Sequence, residues 1–119
     1  MNWLNTKKII EIHDKMISKY GGEMGILNEG NIDYLIYLLQ KENNVFNKAT
    51  IALNRIITNH AFIDGNKRTA FEVADQLLRH EGLYIQNNEE TISVLLSIAK
   101  YECTEVIIKK WLERKTIPL

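Results

Sequence analysis

The chain has 119 residues, 45% of them apolar and 25% charged, which is an ordinary composition for a globular protein. Fifteen basic residues balance fifteen acidic ones, so no overall charge draws the chain to nucleic acid or to an anionic membrane. A single cysteine excludes an internal disulfide, and no apolar run approaches the ~20 residues of a membrane helix, so we expect a cytoplasmic protein.

The first half of the chain shows apolar residues at helical spacing, broken by one glycine-rich segment. A first helix is predicted over residues 6–20, and Gly21 and Gly22 end it, as glycine commonly does at a helix C-terminus. Residues 21–30 contain four of the six glycines and form the one clear non-helical excursion. A second helix is predicted around residues 32–39.

The second half of the chain predicts four more helices. The third and fourth are expected over residues 45–60 and 66–81. The fifth begins at Asn87, three residues before Glu90, in a spacing like that of a capping box. A sixth lies around residues 106–112. Without repeats or a linker, residues 1–119 are predicted to form a single all-α domain of about six helices, with at most a trace of β-structure near residues 21–30.

The most informative stretch, residues 60–68, joins the third and fourth helices and reads His-Ala-Phe-Ile-Asp-Gly-Asn-Lys-Arg. Gly65 can adopt backbone conformations closed to other residues, and Asn66 is a natural capping residue. The N-terminus of the fourth helix favours anions, and Lys67 and Arg68 place two cations there.

Two further side chains of this stretch suggest catalysis. Asp64 offers the hard oxygens that magnesium prefers, and His60 can accept a proton near neutral pH. An anion site, a metal ligand and a general base in one loop indicate phosphoryl or nucleotidyl transfer.

Residues 60–68 resemble the signature loop of the Fic/Doc family, His-x-Phe-x-(Asp/Glu)-Gly-Asn-(Gly/Lys)-Arg, and match all seven defined positions. The lysine at position 67 makes the loop similar to that of the Doc branch, the death-on-curing toxins, because other members of the family usually carry glycine at that position. Ala61 replaces a common proline, and Phe71 replaces a second arginine of the AMP-transferring members. Residues 12–22 also resemble the first helix of Doc-type proteins, which ends in Tyr-Gly-Gly.

The resemblance implies a helical bundle of the Fic/Doc type, with the signature loop between two central helices. It further implies a toxin of a toxin–antitoxin pair, partnered by a Phd-like antitoxin. Such a toxin transfers the γ-phosphate of ATP to a hydroxyl group of a target protein. In the best-known members of the family the target is elongation factor Tu, and its modification inhibits translation. In this interpretation His60 is the catalytic base, Asp64 holds Mg²⁺, and the nucleotide phosphates are bound by Gly65, Asn66, Lys67 and Arg68.

Other interpretations remain open from the sequence. A Fic-type AMP or nucleotidyl transferase is the main alternative, followed by a binding module that keeps the fold without turnover. A helix-turn-helix is opposed by the neutral charge. His13 and Asp14 could suggest the metal dyad of HD hydrolases, but that chemistry needs more histidines than the three present, so a histidine on a helix face is favoured. Cys103 is expected to be a small core residue, not a nucleophile.

Overall fold

The computed structural model describes residues 1–119 as six α-helices and two short β-strands. This architecture confirms the predicted all-α class and places the signature loop between the third and fourth helices. No helix combines the length and the apolar character that crossing a membrane would require. In chain order the elements are α1 (Thr6–Tyr20), α2 (Glu29–Lys41), α3 (Val45–Thr58), α4 (Asn66–Arg79), β1 (Leu83–Ile85), α5 (Glu89–Ala99), α6 (Glu105–Lys115) and β2 (Thr116–Pro118).

Helices α3 and α4 form the centre of the bundle. They pack most extensively on each other, while α3 also contacts α2, α5 and α6, and α4 contacts α1 and β1. Both helices bury small side chains, and a small side chain at a helix contact lets the two axes approach closely. These alanines are fully buried: Ala49 and Ala52 in α3, and Ala70 and Ala74 in α4. The signature loop is therefore held at both ends by the most deeply packed helices of the protein.

Side-chain caps begin five of the six helices, and α4 is the exception. Four of the five caps are asparagines and the fifth is Thr104, before α6. The fifth helix is capped by Asn88, not by Asn87 as predicted, and Thr91 completes its capping box. Helix α4 begins after Gly65, which offers no side chain to its first backbone N–H groups. Those groups are left available at the loop.

A two-stranded antiparallel sheet joins β1 to β2, with Tyr84 opposite Ile117. The expectation that β-structure would be confined to residues 21–30 is therefore wrong, because β1 and β2 both lie in the second half of the chain. Strands of three residues are too short for alternation to reveal them. The sheet is tied to α4 because the Ile85 N–H donates to the buried carboxylate of Asp75 at 2.9 Å.

A charged cluster attaches the end of α6 to the start of α5. The Glu90 carboxylate lies 2.7 Å from Nη2 of Arg114 and 3.0 Å from Nζ of Lys115. A hydrogen bond from Arg114, together with a smaller contribution from Lys115, lowers the pKa of Glu90 from its usual 4.5 to about 2. Because the folded-state pKa is depressed, the cluster stabilises the fold above pH 4.5 and loses that contribution as the pH falls toward 2.

We predict that Glu90→Gln lowers the melting temperature at pH 7, and that the difference from the unmutated protein shrinks as the pH falls from 4.5 toward 2. Thermal unfolding followed by circular dichroism across this range tests the prediction. Glu113→Gln is the matched control, since Glu113 is an exposed glutamate of α6 outside any ion pair. A Glu90→Gln effect that did not change with pH would contradict the assignment.

Candidate active site

The signature loop begins where α3 ends. The helix stops at Thr58, two residues earlier than predicted, and His60 adopts a left-handed conformation with φ 47° and an exposed side chain. The Tyr101 hydroxyl donates to the Thr58 carbonyl at 3.0 Å, and the Asn31 side chain donates to the Asn59 carbonyl at 3.3 Å. Neighbouring elements thus hold the backbone from which His60 projects.

The middle of the loop is closed by Asn66. Its side-chain amide donates to the Phe62 carbonyl at 2.8 Å, and its Oδ1 accepts from the Phe62 N–H at 3.1 Å. The capping role predicted for Asn66 is therefore wrong, since Asn66 is the first helical residue and its side chain bonds back to the loop. Gly65 takes the cap position with φ 76°, a left-handed conformation that favours glycine.

Asp64 presents an exposed, ionised carboxylate at the tip of this loop. Its Oδ2 accepts from the Glu23 N–H at 3.2 Å, and its Oδ1 accepts from the Gly65 N–H at 2.8 Å. These two bonds, with smaller contributions from the charges of Arg68 and Lys67, hold the pKa of Asp64 below its usual value. A carboxylate has about four acceptor positions, so Asp64 keeps lone pairs for a further ligand.

The donor set around Asp64 fits magnesium. Mg²⁺ is commonly held by one or two carboxylates together with water and substrate phosphates. Residues 1–119 contain no cluster of three or more His, Cys, Asp or Glu side chains that could form a closed metal cage. A single ionised carboxylate beside the exposed cations Lys67 and Arg68 is an arrangement that suits this open mode of binding.

Residues 20–22 and 64–68 line an open pocket of about 420 Å³. The start of α4 contributes the positive end of its helix dipole, and Lys67 and Arg68 are exposed there. The Arg68 guanidinium lies 4.8 Å from the ring centroid of Tyr20. The pocket thus collects Asp64 and the four residues expected to bind phosphates, whereas His60 does not line it. Its polar lining, with two cations and one carboxylate, suits a chain of phosphates bound together with a metal ion.

Helix α1 supports the loop through His13, which the sequence interpretation placed on a helix face. His13 lies on a face of α1, and the structure shows that this face is the buried one. Its Nε2 lies 2.8 Å from the Asp64 carbonyl oxygen, and its ring stacks on Phe62 with centroids 3.8 Å apart. Helical spacing held the missed signal, since position 13 lies four residues from both Ile9 and Ile17 on the apolar face.

Two glycines allow α1 and the loop to approach closely. A Cβ on Gly22 would lie 2.7 Å from Oδ2 of Asp64, and a Cβ on Gly65 would lie 2.9 Å from Cδ1 of Ile17. Both glycines also have positive φ, which disfavours other residues. The Gly-Gly pair that ends α1 is therefore part of the architecture of the site as well as a helix stop.

The segment after α1 runs beside the loop in extended form. The Leu27 N–H donates to the Ala61 carbonyl at 2.8 Å, and the Ile63 N–H donates to the Gly25 carbonyl at 3.1 Å. An isolated bridge pairs Ile26 with Phe62, which agrees with the trace of β-structure expected in residues 21–30. Residues 21–28 therefore form one wall next to the signature loop.

A second, more apolar groove of about 320 Å³ adjoins the polar pocket and shares Tyr20 and Arg68 with it. Phe71 is half-buried in this groove and offers no donor to a phosphate. Ile92 of α5 lies at the same groove with 71% of its surface exposed. An apolar surface thus continues directly from the charged one.

We predict that Gly22→Ala disturbs the Asp64 carboxylate and that Gly21→Ala does not. Both residues have positive φ, so each substitution should destabilise the fold by roughly 1–3 kcal/mol. Only the methyl group added at position 22 would meet Asp64, whereas a methyl group added at position 21 would lie in open space. Amide chemical shifts of Asp64 and Gly65 in NMR spectra measure the difference. Equal shifts in the two variants would contradict the close contact.

Comparison with known proteins agrees with the resemblance noted in residues 60–68. The family model described as Fic, Fic/DOC family, matches residues 3–78, which include α1 to α3, the loop and most of α4. The chain is also similar to "Protein kinase doc" of Escherichia phage P1, with 27% identity over 120 residues. That match covers 96% of this chain and 95% of the phage protein.

Proposed function

Since the chain belongs to the Fic/DOC family, we propose that it is a Doc-type toxin that transfers the γ-phosphate of ATP to a hydroxyl group of a protein target. The observation that carries the proposal is the polar pocket, where Asp64, Lys67 and Arg68 meet the uncapped start of α4. Phosphoryl transfer requires mainly positioning and charge neutralisation, which these groups can supply.

In the proposed reaction His60 accepts the proton of the target hydroxyl while the hydroxyl oxygen attacks the γ-phosphorus. The bond from the γ-phosphorus to the β-bridging oxygen breaks, and ADP leaves with the electron pair. Asp64 would hold Mg²⁺, which when bound supplies positive charge to the nucleotide phosphates. Lys67 and Arg68 neutralise the transferring group, and the Asn66 N–H at the start of α4 orients it, because the Gly65 N–H donates to Oδ1 of Asp64.

His60 does not line the polar pocket, and it directly precedes Ala61, whose carbonyl accepts from the Leu27 N–H. This position suits a base that receives its proton from a second molecule, because the target must approach from outside the nucleotide site. Residues 21–28 border the loop there and expose Met24 and Leu27, so this wall is the part of the surface expected to influence the choice of target.

Two side chains favour phosphate transfer over the alternative, AMP transfer. Lys67 places a long cation beside the helix start, where glycine would leave space, and lysine binds phosphate as a mobile point charge. Phe71 lies one helical turn further along and cannot clasp phosphates as an arginine would. The name of the phage relative, "Protein kinase doc", agrees with this choice.

The proposed target is elongation factor Tu or a similar translation factor, and its modification in the cytoplasm would inhibit translation. The proposal also includes a cognate, Phd-like antitoxin that restrains the enzyme. No direct contact with nucleic acid is proposed, in keeping with the equal numbers of basic and acidic residues.

Incubation of the protein with elongation factor Tu and labelled Mg-ATP tests the reaction. We expect the label to appear on the target from γ-labelled ATP and not from α-labelled ATP, with ADP as the by-product. His60→Ala should reduce transfer by about 10²–10⁴-fold, the usual contribution of a positioned general base. His80→Ala is the matched control, because His80 lies at the far end of α4.

Each other outcome of this experiment has a definite meaning. An AMP adduct on the target would replace the kinase proposal with nucleotidyl transfer. Undiminished transfer by the His60→Ala variant would refute the role given to His60. If no adduct formed on elongation factor Tu or on any protein of a cell extract, the protein would be a binding module.

The apolar groove beside the polar pocket is the proposed contact for the antitoxin. It shares Tyr20 and Arg68 with the pocket, so a segment lying in the groove would also obstruct the nucleotide. The exposed Ile92 offers a surface for the apolar face of a segment that folds on binding.

We predict that expression of the protein alone arrests growth, and that co-expression of its antitoxin restores it. Ile92→Asp should weaken this rescue because it places a charge on the apolar contact. Ile107→Asp, at another exposed isoleucine with 52% exposure on α6, should leave rescue intact. Rescue that is lost equally in both variants, or in neither, would exclude the groove as the contact.

A further inference from the structure

His13 is the one fully buried histidine, and the proposed reaction gives it no role. It lies in the middle of α1 and contacts the signature loop at two points. Its ring stacks on Phe62 at 3.8 Å with an angle of 4° between the planes, and its Nε2 reaches the Asp64 carbonyl oxygen at 2.8 Å. Stacking alone would fill the core, but the hydrogen bond ends on the backbone of the proposed metal ligand.

The direction of this hydrogen bond is defined by chemistry. A carbonyl oxygen can only accept, so Nε2 of His13 must carry the proton and donate it. The opposite nitrogen, Nδ1, lies 3.1 Å from the carboxylate of Asp14, whose side chain is 46% exposed. The Nε2 bond is therefore the buried one, and a buried polar bond is costly to remove because it leaves the carbonyl without a partner.

The bond controls more than one atom of the loop. The Asp64 carbonyl and the Gly65 N–H belong to the same planar trans peptide and point in opposite directions. When His13 holds the carbonyl toward α1, the Gly65 N–H is directed away from the helix, where it donates to Oδ1 of Asp64 at 2.8 Å. One hydrogen bond from α1 thus orients the peptide that in turn orients the carboxylate.

We infer that His13 is a positioning residue, which holds the Asp64–Gly65 peptide so that the Asp64 carboxylate and the start of α4 are preorganised for Mg²⁺ and nucleotide phosphate. This inference rests on the proposed function. Hydrogen-bonded partners of metal ligands typically contribute about 10–100-fold to metal affinity or activity.

The test compares three variants. His13→Leu introduces an apolar side chain of similar size and removes the donor, while His13→Gln retains an N–H near the position of Nε2. His80→Leu is the matched control, because His80 stacks on Trp3 at 3.8 Å with an angle of 5° but has no bond to the loop. Binding of Mg²⁺ in the presence of ADP is followed through the Gly65 amide signal in NMR spectra, alongside the transfer rate.

We expect His13→Leu to raise the half-saturating Mg²⁺ concentration by about 10–100-fold. His13→Gln should recover most of this loss, and His80→Leu should leave it unchanged. A merely structural role would reduce the amount of folded protein without changing the half-saturating Mg²⁺ concentration of the folded fraction. Unchanged Mg²⁺ binding in His13→Leu, or equal losses in the Leu and Gln variants, would overturn the inference.

Two further results keep the inference separate from the proposed function and from folding failure. If His13→Leu does not fold, the ¹⁵N spectrum of the His13 ring in the unmutated protein shows which ring nitrogen carries the proton. A proton on Nε2 is the expected result, and an Nε2 without a proton would overturn the inference. If the unmutated protein binds Mg²⁺ and ADP as expected but transfers no γ-phosphate, the proposed function fails while the role of His13 stands. Absence of Mg²⁺–ADP binding would overturn both.

Discussion

The contact between α1 and the Asp64–Gly65 peptide is the constraint on which the rest of the site depends. His13 holds the carbonyl, Glu23 donates to the carboxylate, and Gly22 leaves the space in which that carboxylate lies. A loop tip would normally be free to adopt several conformations, since loops are the more mobile parts of a fold. Here three groups from one helix and its C-terminal extension restrict the backbone and side chain of one residue.

The central helices supply the complementary half of this arrangement. The loop is short because α3 and α4 pack directly on each other, and Asn66 closes it by pairing with both backbone groups of Phe62. Since the Asn66 side chain is occupied within the loop and Gly65 has none, the first N–H groups of α4 remain without a side-chain cap. The other five helices have such caps, so this start differs from them at the place where an anion is expected.

The charge of the site is local and not a property of the whole chain. The protein as a whole is neutral, yet Lys67, Arg68 and the positive end of α4 are gathered at one pocket with a single ionised carboxylate. In the proposed function this local charge serves to attract the phosphates of a nucleotide, without giving the rest of the surface an affinity for nucleic acid. The adjoining apolar groove shares Tyr20 and Arg68 with this pocket, so in the proposed function a partner bound in the groove would also affect access of the nucleotide.

The sequence by itself determined the helical class, the position of the loop and the part of the pocket lining that residues 64–68 supply, because helical periodicity and a dense local motif are encoded by neighbours along the chain. Only the tertiary structure decided which distant groups complete the site. Helical spacing places His13 on the apolar face of α1, but its contact with the carbonyl of residue 64 depends on how α1 packs against the loop. The pairing of β1 with β2 and the turn of Asn66 toward Phe62 likewise arise from contacts made after the chain folds. Periodicity identifies the face of a helix that is buried, whereas the atoms that meet on that face are set by packing between elements.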